Sequence, residues 1–455
     1  MGADLRFPSI TPNAPLPIFL FSSARYRFRE SVFIKATVLN RNLESQPCST
    51  AKIAPRLSAW RIAAYRRLWF GTVIMALANQ CERLAVGWLV LVETDSVFLT
   101  AASFAARKVP SSLVAPIAGA ISDQVSRSRM LAVTALYKAV SVALLGFLTL
   151  NGVDNIGWVF ILVALSGIGQ SFEVPATQGL ITDTVPQRLA MKAVALQSTG
   201  SKAMGALGSL VGGLVITEFG VAAPFFTGAG IFLISAIAML TMPHGRGGSH
   251  VGSVVHPGIL LEALKALAKL IRLPVVGTLL LVAFVVEMFG FAYNAVLPSV
   301  ARDLLFVDAS GLGTLTLMAG FGSVIGVAIL ATLGYFPRKG LLLISITIGY
   351  GLMLIGFAAS GIFALSIILV MGVGAMAAVF DAMQWTLLQQ NVPDGLRGRA
   401  IGGWVFAISF GWIGQLTLGA VSQTLGVQWA LAGAGGLVIL TGLAAYVSSA
   451  GLRAA

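Results

Sequence analysis

Charge is scarce in this sequence. Only 10% of its residues are Asp, Glu, Lys or Arg, where a soluble globular chain averages roughly 25%. Most of the 455 residues therefore cannot face water. Cysteine is rarer still: Cys48 and Cys81 are the whole supply, which excludes a disulfide framework and a cysteine-based metal site. The three histidines, His244, His250 and His256, share one glycine-rich stretch and read as a solvated linker rather than a metal site. No Gly-x-x-x-x-Gly-Lys-Ser/Thr loop occurs, which argues against ATP as the energy source. Neither a nucleophile elbow nor a His/Cys/Asp cluster is present, so the sequence offers no enzyme's chemistry.

What abounds is apolar surface. Hydrophobic residues make up 57% of the chain, with a mean hydropathy of +0.89. A bilayer core is about 30 Å thick, and a helix needs roughly 20 apolar residues to cross it. Lipid leaves no partner for free backbone polar groups, so only helices or closed barrels can span it. The apolar runs here are continuous rather than alternating, which selects the helix. The fold class is thus all-α integral membrane, with twelve transmembrane helices. They are expected at 68–92, 97–121, 130–151, 156–178, 190–216 and 221–242, then at 275–298, 311–334, 339–360, 362–386, 399–423 and 427–449.

Other segments flank and divide these spans. Residues 1–60 are basic and rich in Pro, Ser and Asn. They fit a disordered tail, a targeting segment or an over-long gene model, the first and last being favoured. Residues 61–242 form the first six-helix bundle and 274–449 the second, with 450–455 as a short tail. Between the bundles, 243–273 is a polar connector. It ends in an amphipathic stretch in which Leu260, Leu261, Leu264, Leu267, Leu270 and Ile271 oppose Glu262, Lys265, Lys269 and Arg272, a pattern suited to the surface of an anionic membrane.

The two bundles repeat one another. Gly119 and Gly326 stand 207 residues apart, as do Val185 and Val392, Pro186 and Pro393, and Lys192 and Arg399. A constant offset across several landmarks marks an internal duplication of the kind secondary transporters carry, with the binding site at the repeat interface. Lys and Arg then orient the chain. The even-to-odd connectors hold Arg127, Arg129, Arg188, Arg246, Arg338, Lys339 and Arg397, whereas the odd-to-even ones hold mainly acids, with Arg302 their only base. The positive-inside rule puts both termini in the cytoplasm. The formal net charge of +13 therefore reflects topology and the basic tail, and no nucleic-acid partner is expected.

The connector after the second span carries Gly119, Asp123, Arg127 and Arg129. It resembles the loop between helices 2 and 3 of the major facilitator superfamily, departing from it at Gln124 and Ser126. Gly119 would let helices approach closely, and Asp123 could pair with Arg127 or Arg129 as a latch made in one conformation only. In the fifth span Gly208, Gly212 and Gly213 resemble a glycine motif of that superfamily's proton-linked exporters, with Ser209 where they carry proline; plain small-residue packing explains it equally well. Gly290, Tyr293, Leu297 and Pro298, followed by Val392, Pro393, Arg397 and Arg399, resemble bacterial exporters related to enterobactin and macrolide efflux carriers. The resemblance covers residues 60–449 and implies a major facilitator fold.

Ionisable groups at bilayer depth are costly and usually functional. One acid lies inside each of spans 1, 4, 7 and 10: Glu82, Glu173, Glu287 and Asp381. In the superfamily these helices are equivalent, and the resemblance implies that all four acids line the central cavity, where a carboxylate could exchange protons. The interior bases are Arg83, Arg107, Lys108, Lys138 and Lys202, all in the first half. They are cargo ligands or structural ion-pair partners, and Lys138 is placed closer to a span end. Further cavity candidates are Gln170, Tyr293, Asn294, Gln384 and Trp385. Together these features point to a monomeric secondary transporter of a bacterial cytoplasmic membrane, in contact with lipid. It is expected to export a small amphipathic organic molecule by alternating access, with no cofactor beyond a proton gradient. Uptake by the same fold and a transport-inactive receptor remain as alternatives.

Overall fold

The computed structural model describes residues 59–242, 273–333, 336, 338–392, 404–405 and 408–454. The basic tail, the connector with its amphipathic stretch, and the Arg397–Arg399 region lie outside them. So does the side chain of Asp123.

The chain is helical throughout these residues. The first half comprises α1 (Ala63–Thr94), α2 (Val97–Gln124), α3 (Arg127–Leu150), α4 (Ile156–Thr184), α5 (Gln187–Phe219) and α6 (Ala223–Leu240). The second comprises α7, α8 (Ala309–Leu333), α9 (Lys339–Ala359), α10 (Phe363–Asn391), α11 (Gly411–Leu425) and α12 (Val427–Ser448), with a short α13 (Ala450–Ala454) behind them. The span α7 is interrupted: α-helical at Pro274–Val285 and Tyr293–Ser299, it opens into π turns at Val286–Gly290 and Val300–Leu304. Ten of these twelve spans are long and apolar enough to cross a membrane. Of the other two, α2 carries Arg107, Lys108, Pro110 and Pro116, and α11 is described over 15 residues only.

Local chemistry fixes the ends. Ser96 caps α2 by accepting the Leu99 amide, and Asn155 caps α4 by accepting that of Gly157, since the first amides of a helix have no partner inside it. At the end of α1, Asp95 turns the chain with φ 50°, a left-handed conformation that aspartate tolerates better than bulky residues do. On α3, Val133, Leu136, Val140 and Leu144 are exposed at helical spacing, an apolar stripe directed at hydrocarbon.

The duplication is visible in the helices themselves. Residue 363 follows 156, and 391 follows 184, by 207 residues, so α10 repeats α4 end to end. The packing repeats as well. In the first half α2 lies on α4, and α3 on α6; in the second α8 lies on α10, and α9 on α12. The halves meet along α5 with α8 and along α2 with α11, two seams related by the same pseudo-twofold axis. One end of this interface is closed by polar contacts. Arg302 bonds Asp95 at 2.6 Å and the Leu91 carbonyl at 3.0 Å, Thr217 donates to Asp308 at 3.2 Å, and Gln423 accepts from Ser96 and the Phe98 amide. All of these lie at the end that bears the odd-to-even connectors.

A charged cavity between the two bundles

Away from the closed end, the bundles part around a cavity of about 470 Å³. Asn79, Gln80 and Arg83 enter it from α1, Gln170 from α4, and Ser201 and Lys202 from α5. The second half contributes Phe291, Tyr293 and Asn294 from α7, Thr316 and Ser323 from α8, and Asp381 from α10, between the small residues Gly374, Ala377 and Ala378. Small residues on α8 and α10 leave the volume that the polar side chains of α1 and α5 face.

Three of the four interior acids are bound to bases. Glu82 is fully enclosed and accepts Arg107 Nη2 at 2.7 Å, joining α1 to α2. Glu173 accepts Lys138 Nζ at 2.5 Å and Asn79 Nδ2 at 3.0 Å; Lys138 also bonds the Asn79 amide oxygen and lies 4.9 Å from the Phe232 ring centre. Glu287 accepts Lys108 Nζ at 2.5 Å. This third pair differs from the others because Lys108 belongs to the first bundle and Glu287 to the second.

Glu287 owes its position to the irregularity of α7. It sits in the first π turn, where the Phe291 amide reaches back five residues to the Val286 carbonyl at 3.0 Å. Such turns re-aim side chains and recur at functional sites. Gly411 on α11 leaves room for the pair: a Cβ there would lie 2.5 Å from Lys108 Nζ and 2.7 Å from Glu287 Oε1 and would press on both side-chain ends. Asp381, by contrast, has no ion-pair partner among the described residues, although it lies within electrostatic reach of both Glu287 and Lys202.

An all-helical, duplicated membrane chain with charges at the bundle interface has the form of a carrier, and its sequence decides which kind. Residues 54–452 match the family described as transmembrane secretion effectors. The chain belongs to that family, within the major facilitator superfamily. It is similar to the multidrug efflux pump Tap of Mycolicibacterium fortuitum, 26% identical over 372 residues covering 79% of this chain and 89% of that protein. It is likewise similar to the multidrug resistance protein MdtG of Proteus mirabilis, 27% identical over 360 residues, 76% of this chain and 85% of that one. Its fold matches the crystal structure of the nucleoside transporter NupG with a TM-score of 0.66 at 14% identity, covering 85% of this chain and 99% of that chain. The chain is therefore a multi-pass membrane transporter and not an enzyme.

Several residues of the carrier fall elsewhere than the sequence led us to expect. Of the four acids only Asp381 lines the cavity; Glu82 is sealed beneath Arg107, and Glu173 is one residue removed, behind Asn79. Arg107 and Lys108 are spent on ion pairs, whereas Arg83 faces the cavity. Gln170, Tyr293 and Asn294 also line it. Gln384 does not: it is buried and donates to the Leu279 carbonyl at 3.0 Å, tying α10 to α7. Trp385 packs edge-on against Trp404, ring centres 5.4 Å apart. Lys138 is fully buried rather than near a span end.

The loop and glycine motifs resolve differently. Gly119 makes no close approach, since a Cβ there would meet open space among the described residues; its repeat mate Gly326 lies against the Ala375 backbone. Arg127 bonds Asp183 at 2.9 Å and the Gly179 carbonyl at 3.1 Å, binding α3 to the end of α4. Arg129 lies exposed on the first turn of α3. Gly208 packs on the Leu77 carbonyl, Gly212 on Cys81, and Gly213 on Ala309 of the other bundle, so this stretch of α5 seats two helices at once. Sequence reasoning missed the joint of Asp95 with Arg302 and that of Thr217 with Asp308. The repeat offset was the available signal for the first.

Proposed function

We propose that this chain is a proton-coupled efflux carrier for a small, amphipathic organic molecule, acting by alternating access as a monomer in the bacterial cytoplasmic membrane, with both termini in the cytoplasm. The observation that carries the reading is the Lys108–Glu287 ion pair between the two bundles, beside a cavity whose only acid among its described lining is Asp381. Ion pairs that join two rigid bodies in one arrangement are natural switches between two states. A proton taken up at Asp381 and passed to Glu287 removes the negative partner of Lys108. The bundles then lose their central tie, and the closed end can part. The names of the relatives Tap and MdtG, an efflux pump and a resistance protein, support export over uptake.

The test is transport in proteoliposomes holding the full chain, with a fluorescent amphipathic dye and an imposed ΔpH. Asp381→Asn and Glu287→Gln are each expected to abolish ΔpH-driven flux while the protein still inserts and purifies. Undiminished flux in both variants removes the proton role assigned here, and dye accumulation driven toward the connector-bearing face would reverse the direction.

A further inference from the structure

We infer that the cargo of this cavity is an organic monoanion whose oxyanion head is held between Arg83 and Lys202. This deepens the efflux reading and rests on it. The first bundle carries five interior bases, and three of them, Arg107, Lys108 and Lys138, are each matched to an acid. Arg83 and Lys202 have neither an ion-pair nor a hydrogen-bond partner among the described residues, yet both line the cavity. A charge at bilayer depth without a partner is expensive. Where all its neighbours have been paired off, the unpaired bases are the ones left for something that arrives.

The lining defines what can arrive. Its charged members among the described residues are Arg83, Lys202 and Asp381, one net positive charge when Asp381 is ionised. A monoanion brings that to neutrality, the condition under which a low-dielectric cavity costs least to enclose. A cation would meet two like charges, and a neutral cargo would leave the excess charge sealed in. The guanidinium of Arg83 offers a planar fork that matches an oxyanion bidentately, and Lys202 adds a mobile point charge. Phe291, Tyr293 and Ala377 give an apolar wall for the rest of the molecule, and about 470 Å³ suits a cargo of drug-like size. Outward movement of an anion also runs with an inside-negative membrane potential.

The experiment uses the purified full chain in a neutral detergent and four probes that share one apolar body: naphthoate, naphthalenesulfonate, naphthamide and naphthylmethylammonium. Affinity is read from ligand stabilisation against thermal unfolding. Both anions are expected to bind about tenfold or more tightly than the amide, and the ammonium more weakly than either. Arg83→Gln and Lys202→Gln should each weaken anion binding about tenfold, the loss of one charge-assisted contact, while Lys202→Arg retains it. The melting temperature of each variant without ligand shows whether it is folded. Because a lipid headgroup carries the same chemistry, the titration is repeated with phosphatidylglycerol or phosphatidylcholine added to the micelles, and naphthoate affinity should be the same in both.

The inference is overturned if the amide or the ammonium matches the anions, if neither anion binds, if both glutamine variants bind naphthoate as the parent does, or if phosphatidylglycerol displaces it. Loss of ΔpH-driven flux with anion selectivity intact would sink the efflux reading and leave this site standing. Dye efflux that persists without any anion preference would do the reverse.

Discussion

Asp95 and Arg302 stand 207 residues apart and are joined by an ion pair of 2.6 Å. That separation is the repeat offset, so the two residues occupy the same position in the two halves. Equivalent positions can touch only beside the pseudo-twofold axis, and their pair therefore closes one end of the interface at its centre. Asp95 is largely exposed, its side chain 85% accessible, and such pairs contribute only about 0.2–1 kcal/mol. Asp95→Asn or Arg302→Gln should therefore raise the population open at this end about 1.4- to fivefold. The charge swap Asp95→Arg with Arg302→Asp should restore closure. Distances between spin labels at Phe219 and Leu425, exposed residues of opposite bundles, would report it.

Removing one member of a buried pair costs more than removing both. Lys138 is wholly inaccessible and Glu173 is partly buried, and an uncompensated buried charge of this kind costs up to about 3–5 kcal/mol. We expect Glu173→Gln to lower the melting temperature and yield sharply. The double change Lys138→Met with Glu173→Leu should recover most of the loss. Equal melting temperatures for parent and Glu173→Gln would show that the pair is not a structural necessity.

Gly411 is the seat of the pair between the bundles. A methyl group at that position meets both Lys108 and Glu287, and overpacking of this kind costs about 1–3 kcal/mol. Gly411→Ala should reduce both ΔpH-driven flux and thermal stability. Gly433→Ala, where an added Cβ meets no atom within 4 Å, should leave flux and melting unchanged.

Asp308 gives the closed end a defined pH dependence. The Ser310 hydroxyl at 2.6 Å, followed by the Gly311 amide at 3.0 Å and Thr217 from the other bundle, holds its carboxyl below the usual range. A depressed carboxyl stabilises the folded state above its unfolded value, about 3.9, and that contribution is lost as pH falls through the lower folded value. Hydrogen exchange at Gly311, corrected for its intrinsic rate, should be constant from pH 8 to 5 and rise only below about pH 4. Asp308→Asn should show a raised rate throughout. A rise already at pH 6 in the parent would contradict this account.

Hydropathy and the offset made most of the architecture legible. The expected spans agree with the helices to within a few residues over most of the chain, and the lone acids lie inside α1, α4, α7 and α10, though only Asp381 among them lines the cavity. Pairing was not legible, because it depends on which face of a helix meets which neighbour. Lys138 shows how small the margin is. Its span was expected to start at 130, but α3 begins at Arg127, and eleven residues at 1.5 Å each place Lys138 about 16 Å along the helix from its start. Gln384 and Trp385 are neighbours of cavity-lining positions on α10, and nothing in their spacing says that one serves a carbonyl of α7 and the other an indole.

The placement of all five interior bases in the first bundle has a consequence for the order of events in synthesis. A chain emerging from its N-terminus inserts α1 to α6 while α7 is still unmade. Glu82–Arg107 and Glu173–Lys138 can form at once, since each pair lies within the first bundle. Lys108 must wait for Glu287, and Lys202 for the nearby charge of Asp381. The nascent first half thus holds five interior bases against two acids, an excess of three positive charges, and the two acids of the second half reduce that excess to one. Electrostatics thus makes the charge balance of the earlier half depend on the later one.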